Sequence, residues 1–368
     1  MTSASADPAT VAVVGTGLIG TSIAMAATRA GDRVRGFDAN GSVLETAAER
    51  AGLEAAASLR ECVEPADLVF VCTPVASIGE AVLAVVEASP AALVSDVGSV
   101  KRTVLADVDR VLPPDGAARF VGGHPMTGSE RTGPDAASAS LLEGAAWVFT
   151  PGPRSDPEAV RSLESYATRL GAHPLTMDAE HHDRLVALVS HLPQVVSSAL
   201  MSLAGAEDDA DPRALVIAAS GFRDVTRLAG SDPELWTGIL GANREAVLEA
   251  IDLFVHRVGS VRALIADQDV AGLRRALGEA QRARGALGAK PRVRAGMALI
   301  QLPVPDRPGV LAQVTTGLGK AAVNIEDLQI VHSPWEPAGV IHLTVLAEHA
   351  DEALGALAAD GFEPVRVA

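Results

Sequence analysis

The segment Gly122-Gly123-His124-Pro125-Met126-Thr127-Gly128-Ser129-Glu130 has the residue types that most directly suggest chemistry. A histidine titrates near neutrality, so it can take a proton from a hydroxyl as hydride leaves the same carbon. The paired glycines would let the backbone pack close to a cofactor, and Pro125 would stiffen the turn that aims the ring. A histidine in a glycine-rich loop also suits a purely structural role. Its meaning depends on the elements that position it.

Upstream lies Gly15-Thr16-Gly17-Leu18-Ile19-Gly20, preceded by the apolar strand Val11–Val14 and followed by a helical stretch from Thr21 to about Ala30. GxGxxG between a strand and a helix is a dinucleotide-binding fingerprint. Gly15 would make the tight turn, Gly17 would admit a pyrophosphate, and Gly20 would let helix and strand pack closely. The helix N-terminus would face the phosphate charge. The next strand, Arg33–Phe37, ends at Asp38. An acid there accepts hydrogen bonds from ribose hydroxyls and repels a 2′-phosphate, which favours NAD over NADP. A capping role is the alternative for Asp38.

The βα rhythm continues. Asp67–Val71 reads as a strand ending in Cys72-Thr73-Pro74, a loop placed beside the cofactor at the carboxyl edge of the sheet. A helix from about Ser77 to Ala88 and a strand Ala92–Ser95 lead to Asp96-Val97-Gly98-Ser99-Val100-Lys101. That loop brings a hydroxyl and a cation to the same edge, and Asp96 is assigned with Cys72, Thr73 and Pro74 to the cofactor. His124 follows the strand Arg119–Val121. Ala146–Thr150, a helix from about Asp156 to Leu170, and His173–Met177 complete an α/β, Rossmann-type doubly wound sheet over residues 10–177.

The chain has 368 residues, enough for two or three domains, and its 48% apolar content supports real cores. A formal charge of -16 argues against nucleic acid and anionic membranes as partners, and makes an anionic substrate depend on a locally basic pocket. Cys62 and Cys72 cannot make a disulfide framework, which fits a reducing, cytoplasmic setting. Residues 1–9 read as a disordered lead-in without the basic and apolar regions of a signal peptide. No run of eighteen or more apolar residues occurs.

Residues 178–288 carry helical spacing only and read as an all-α domain that closes a substrate pocket and forms a dimer interface. Pro193, in Ser190-His191-Leu192-Pro193-Gln194, should kink or interrupt a helix. Arg223 and Arg227, four apart, would share one helix face and could clamp a carboxylate; a solvated face neutralised by acids such as Asp224 is the other reading. Pro233 marks a helix start. His181, His182 and His191 lack the company of a metal set, and His191 suits a buried, hydrogen-bonded position. After a linker at 289–296, residues 297–368 have the order βαββαβ of a small ferredoxin-like α+β domain, regulatory or dimerising in role.

Taken in order, these motifs resemble the prephenate/arogenate dehydrogenases of tyrosine biosynthesis, in the form with a C-terminal ACT domain. The resemblance runs from about residue 10 to the end, on the fingerprint, Asp96–Lys101, Gly123–Glu130, Ser190–Pro193 and Gly221–Arg227. It implies that His124 takes the ring hydroxyl proton of prephenate as hydride passes to NAD, with loss of the ring carboxylate. It implies that Ser99 shares contact with that hydroxyl and with His124. Arg227 would hold a substrate carboxylate, with Arg223 beside it, and Trp236 would approach the pocket from the partner subunit. Ser129 and Glu130 would gate or polarise the site, and His191 and Gln194 would face substrate. Many prephenate-using members have a second histidine where this chain has Gln194. That departure leaves arogenate as the alternative substrate to prephenate. In the tail, Asp306, Gly309, Val310, Leu311, Asn324 and Ile325 match an amino-acid effector site, with L-tyrosine the expected effector and a homodimer the expected state.

Two other classes compete. A 3-hydroxyacid dehydrogenase would need a lysine from the helical domain, and none occurs between Lys101 and Lys290. An NAD-linked amino-acid sensor without turnover would not need His124, Ser99 and Arg227 together.

Overall fold

The computed structural model describes residues 8–128, 131–211, 213–286, 296–305, 307–332 and 338–367. Ser129, Glu130 and Asp306 lie outside the described residues, as do most of the expected lead-in and linker. Contacts divide the chain into two compact units, Met1–Val258 and Gly259–Ala368.

The first unit holds an eight-stranded sheet. Its strands are β1 (Thr10–Val14), β2 (Arg33–Phe37), β3 (Glu54–Ala55), β4 (Leu68–Val71), β5 (Leu93–Asp96), β6 (Phe120–Pro125), β7 (Ala146–Pro151) and β8 (His173–Thr176). Their spatial order is β3-β2-β1-β4-β5-β6-β7-β8. β1 to β6 pair in parallel, and the central strands are apolar on both faces because both are covered. Val11 and Val13 enter one core with Ile23, Phe70 and Trp147; Ala12 and Val14 enter the other with Val69, Ile78 and Val94.

The sheet departs from a purely parallel one at β7, which runs antiparallel to β6. Among the described residues between them, only the short turn Pro134–Ala136 is helical. Without a crossover helix the chain comes back along its neighbour rather than beside it in parallel. β8 is then parallel to β7, across the helix Pro157–Arg169.

Beyond β8 the described part of this unit is helical. Asp178 caps the helix Ala179–Val186 by accepting the His181 amide. Pro193 does not interrupt the helix that follows. The chain widens into one π turn, Ala187–His191, and continues as the helix Leu192–Ala210. Proline has no N–H to give back and its ring crowds the carbonyl one turn earlier; a wider turn absorbs both. By length and composition this continuous helix could cross a membrane, yet it carries the buried polar side chains of His182, Asp183, His191, Gln194 and Ser197.

The second unit contains β9 (Met297–Pro305), β10 (Asp327–His332), β11 (Ala338–Leu346) and β12 (Val365–Arg366), all antiparallel in the order β10-β11-β9-β12. The helices Val310–Lys320 and Ala350–Ala359 complete the expected βαββαβ succession. Ala298, Ile300, Leu302, Val314, Leu318 and Leu343 are among its core residues.

Candidate active site

The fingerprint loop has the geometry its spacing requires. Gly15 sits at φ +94°, and a Cβ there would meet the Cys72 carbonyl oxygen at 2.6 Å. A Cβ on Gly20 would stand 2.0 Å from the Gly15 carbonyl oxygen, so helix and strand touch only because that residue is glycine. At Gly17 the Cβ direction is open, with nothing within 4 Å. Gly17 begins the helix Leu18–Arg29 without a side-chain cap, so the amides of its first turn, at Leu18 and Ile19, are left to meet an anion. Thr16 is buried, and its amide donates to Asp38 Oδ2 at 2.7 Å; Asp38 Oδ1 accepts the Asn40 amide at 2.9 Å. Asn40 rather than Asp38 caps the next helix. The Thr16 hydroxyl also donates to Asp38 Oδ2 at 3.3 Å, so Asp38 braces the loop at the end of β2 through Oδ2 and keeps a lone pair on Oδ1. Across the loop the Thr73 hydroxyl is buried without a partner among the described residues, between half-buried Cys72 and exposed Pro74. Burial and the nearby Asp96 push the Cys72 thiol up, so it stays a neutral thiol. Together these residues fit a dinucleotide.

His124 stands within β6, paired in register with Val148, rather than in a loop after the strand. The two glycines before it let the strand pack against its neighbours. A Cβ on Gly123 would lie 2.6 Å from both the Asp96 carbonyl oxygen and Ser95 Oγ, and one on Gly122 would lie 2.5 Å from Thr150 Oγ1. Pro125 is itself the last residue of the strand, opposite Trp147, so it stiffens the strand end rather than a turn.

The cation that this loop brings to the sheet edge, Lys101, is paired with Asp96. Both side chains are fully buried and form an ion pair with each other. Asp96 also accepts the Gly98 amide at 2.8 Å and the Gly123 amide at 3.1 Å, while Lys101 Nζ donates to the Gly123 carbonyl at 2.6 Å. Burial pulls the ammonium pKa down and Asp96 opposes it. The pair holds both the backbone N–H and the carbonyl of Gly123, the residue before His124.

The ring of His124 is half-buried, and its Nδ1 lies 2.9 Å from Nε2 of His182. His182 Nδ1 is in turn 2.8 Å from Asp183 Oδ1. Asp183 accepts the amides of Lys101 (2.8 Å) and Arg102 (2.9 Å), so the carboxylate is anchored at the start of the helix Arg102–Val111. Burial first, then the neighbouring His182, Lys101 and His191, hold the His124 pKa well below 6.5. The imidazole is therefore neutral and able to accept a proton. Ser99 lies half-buried in the loop after β5; its hydroxyl is not hydrogen-bonded to His124 among the described residues.

His191 is buried, with Nδ1 3.2 Å from Asn243 Nδ2 and its ring edge-on to Trp236 at 6.0 Å between centroids. Trp236 thus reaches His191 within its own chain. Burial brings the His191 pKa down to about 4. His181 turns to Arg184 instead, so the three histidines of this segment have three different partners. Gln194 is buried; its Nε2 donates to the Leu228 carbonyl at 2.9 Å, and its Oε1 is left without a partner among the described residues. Arg223 and Arg227 do not share a helix face. The helix Ser220–Thr226 ends between them, and Arg227 opens the 3-10 turn Arg227–Gly230. Both are exposed, and Arg223 donates to the Ala218 carbonyl at 3.2 Å.

Sequence reasoning missed His182, Asp183 and Asn243. His182 and Asp183 had only their adjacency as a signal, and Asn243 had none.

In the second unit, Val310 and Leu311 line a cavity of about 90 Å³ with Val304, Arg307, Ile330 and Ile341. Gly309 precedes the helix at φ +90°. Asn324 is exposed and donates to Glu326, and Ile325 packs against the core; neither lines that cavity.

A dinucleotide fold whose carboxyl edge carries a neutral histidine defines a dehydrogenase of the nucleotide-fold class. Residues 23–175 match the family described as prephenate dehydrogenase, nucleotide-binding domain, and residues 178–279 match prephenate dehydrogenase, dimerization domain. Prephenate dehydrogenase of Bacillus subtilis is 32% identical over 350 residues, covering 91% of each chain. Among solved structures, Synechocystis arogenate dehydrogenase aligns with TM-score 0.66 and 33% identity, over 75% of this chain and 99% of that one. Prephenate dehydrogenase of A. aeolicus, in complex with hydroxyphenyl propionate and NAD+, aligns with TM-score 0.68 and 28% identity, over 77% of this chain and all of that one. The chain belongs to the prephenate dehydrogenase family.

Proposed function

We propose that this protein oxidises prephenate to 4-hydroxyphenylpyruvate with loss of carbon dioxide, serving L-tyrosine formation. The observation that carries this reading is His124, neutral and half-buried at the carboxyl edge of a sheet whose first loop fits NAD. Bound NAD supplies the hydride acceptor. His124 takes the proton of the ring hydroxyl as the carbinol carbon is oxidised. The ring carboxylate then leaves as carbon dioxide, its bonding pair flows into the ring, and His124 returns the proton to the same oxygen to give the phenol. Asp96 and Lys101 hold the His124 backbone through Gly123. Ser99 is assigned to the hydroxyl, Arg227 to a substrate carboxylate with Arg223 beside it, and Ser129 and Glu130 to gating or polarising the site.

Gln194 favours a second substrate, arogenate. Its amide N–H groups are spent on Leu228 and, more weakly, Ser198, which leaves a buried acceptor. An acceptor suits the ammonium of an amino acid side chain better than the keto group of a pyruvyl one.

The C-terminal βαββαβ segment is assigned as an ACT domain with L-tyrosine as effector. The helix start at Gly309, Val310 and Leu311, beside the small cavity, supports this assignment. A homodimer formed through the helical segment and a cytoplasmic location complete the proposal.

The test is initial-rate NADH formation by the purified protein with prephenate and with arogenate, each with and without L-tyrosine. Turnover of prephenate is expected. Preference for arogenate would keep the mechanism and transfer the substrate. No NADH from either would overturn the enzyme.

A further inference from the structure

We propose that His182 and Asp183 are positioning residues that fix the tautomer of His124, leaving the lone pair on its Nε2, an inference that rests on His124 being the proton acceptor. The Asp183 carboxylate faces donors at both oxygens, the Lys101 amide at Oδ1 and the Arg102 amide at Oδ2. An ionised carboxylate only accepts, so His182 must donate to it from Nδ1. A neutral imidazole has one N–H, which leaves the lone pair of His182 on Nε2. That lone pair faces His124 Nδ1 at 2.9 Å, so His124 donates there and keeps its own lone pair on Nε2.

The reverse tautomer of His124 would set two lone pairs against each other at hydrogen-bond distance. His182 is 1% exposed and Asp183 3%, so the groups that orient the ring are themselves shielded from water. The relay also serves the charged state. When the substrate's O–H proton arrives at Nε2, the imidazolium still donates from Nδ1 to His182, and His182 to Asp183. No proton has to leave the chain, and no group has to turn. A histidine that only filled the core would not need both nitrogens matched in this sequence.

The experiment is 15N NMR of histidine-labelled protein, with the His124 resonances assigned by their loss in His124→Asn. Turnover of His182→Leu and His182→Gln is measured alongside. In the resting wild-type protein Nδ1 of His124 should be protonated and Nε2 not. In His182→Leu the ring should spread over both tautomers, and kcat should fall roughly 10–100-fold with KM little changed. His182→Gln, whose carbonyl can accept from His124 Nδ1, should recover most of kcat. An Nε2-protonated ring in the wild type, or His182→Leu with tautomer and kcat unchanged, would overturn the assignment. Should His182→Leu not fold, the wild-type spectrum and His182→Gln decide. Wild-type protein inert with both substrates would sink His124 as the base, whereas the spectrum would still decide the tautomer.

Discussion

The Lys101 ammonium donates to the Gly123 carbonyl at 2.6 Å, so a fully buried cation bears on the residue before His124. Lys101→Met would leave Asp96 buried and unpaired. Breaking one side of a buried pair costs about 3–5 kcal/mol. Urea denaturation should show a loss of that size, and Lys101→Met with Asp96→Asn should recover part of it. A Lys101→Met variant as stable as the parent would mean the pair is not formed.

His124→Asn removes the base but keeps a side-chain N–H that can meet His182. Turnover should drop by roughly 10²–10⁴, the usual worth of a positioned base. NAD binding, measured by fluorescence titration, should be nearly unchanged, because the fingerprint loop is a separate part of the sheet edge. A variant with near-normal kcat would remove His124 from the reaction.

The pH dependence follows from two histidines buried neutral. His124 is held well below 6.5, and His191 is brought to about 4. The acidic limb of the kcat/KM profile should therefore lie below pH 6.5. For stability the sign is set by proton uptake. Below pH 6.5 the unfolded chain binds protons that the folded one refuses, so stability is lost as pH falls from 6.5 towards 4. His191→Gln keeps an acceptor for Asn243 and should flatten the melting temperature across that window. An unchanged slope would show that His191 contributes nothing to it.

Gly17 separates fold from function. Its Cβ direction is empty, so Gly17→Val should melt where the parent does. The added methyls would occupy the space assigned to the pyrophosphate, and KM for NAD should rise sharply. Gly20→Val should instead unfold the unit, since a Cβ there lies 2.0 Å from backbone. A Gly17→Val enzyme with parental NAD affinity would place the cofactor elsewhere.

The fingerprint was legible in the sequence because its geometry is local. Gly15, Gly17 and Gly20 each answer to a backbone turn or a neighbour within one βα unit. The surroundings of His124 were not legible, because they come from residues far along the chain. His182 lies 58 positions downstream and meets the ring only through tertiary packing. Gly122 and Gly123 read as cofactor glycines because the sequence does not show that β7 turns back against β6. Lys101 read only as a cation at the sheet edge, because nothing local shows that its side chain and that of Asp96 are buried against each other. Arg223 and Arg227 have helical spacing, but the helix stops at Thr226, where the following 3-10 turn changes the angle between them.

Gln194 should decide between the two substrates. Its amide nitrogen is committed to the Leu228 carbonyl, and its oxygen is an acceptor without a partner among the described residues. Gln194→His would replace that acceptor with a ring that carries positive charge when protonated, attracting an anionic keto acid and repelling an ammonium. Charged hydrogen bonds are about twice as strong as neutral ones, a difference of about 1 kcal/mol. The ratio of kcat/KM for prephenate over arogenate should rise roughly fivefold, since each 1.4 kcal/mol is tenfold. Burial disfavours the charged imidazole, so the gain should grow as the assay pH is lowered towards 6.5, the ordinary histidine value. A ratio that stays at the parental value at every pH would take the discriminating role away from this position.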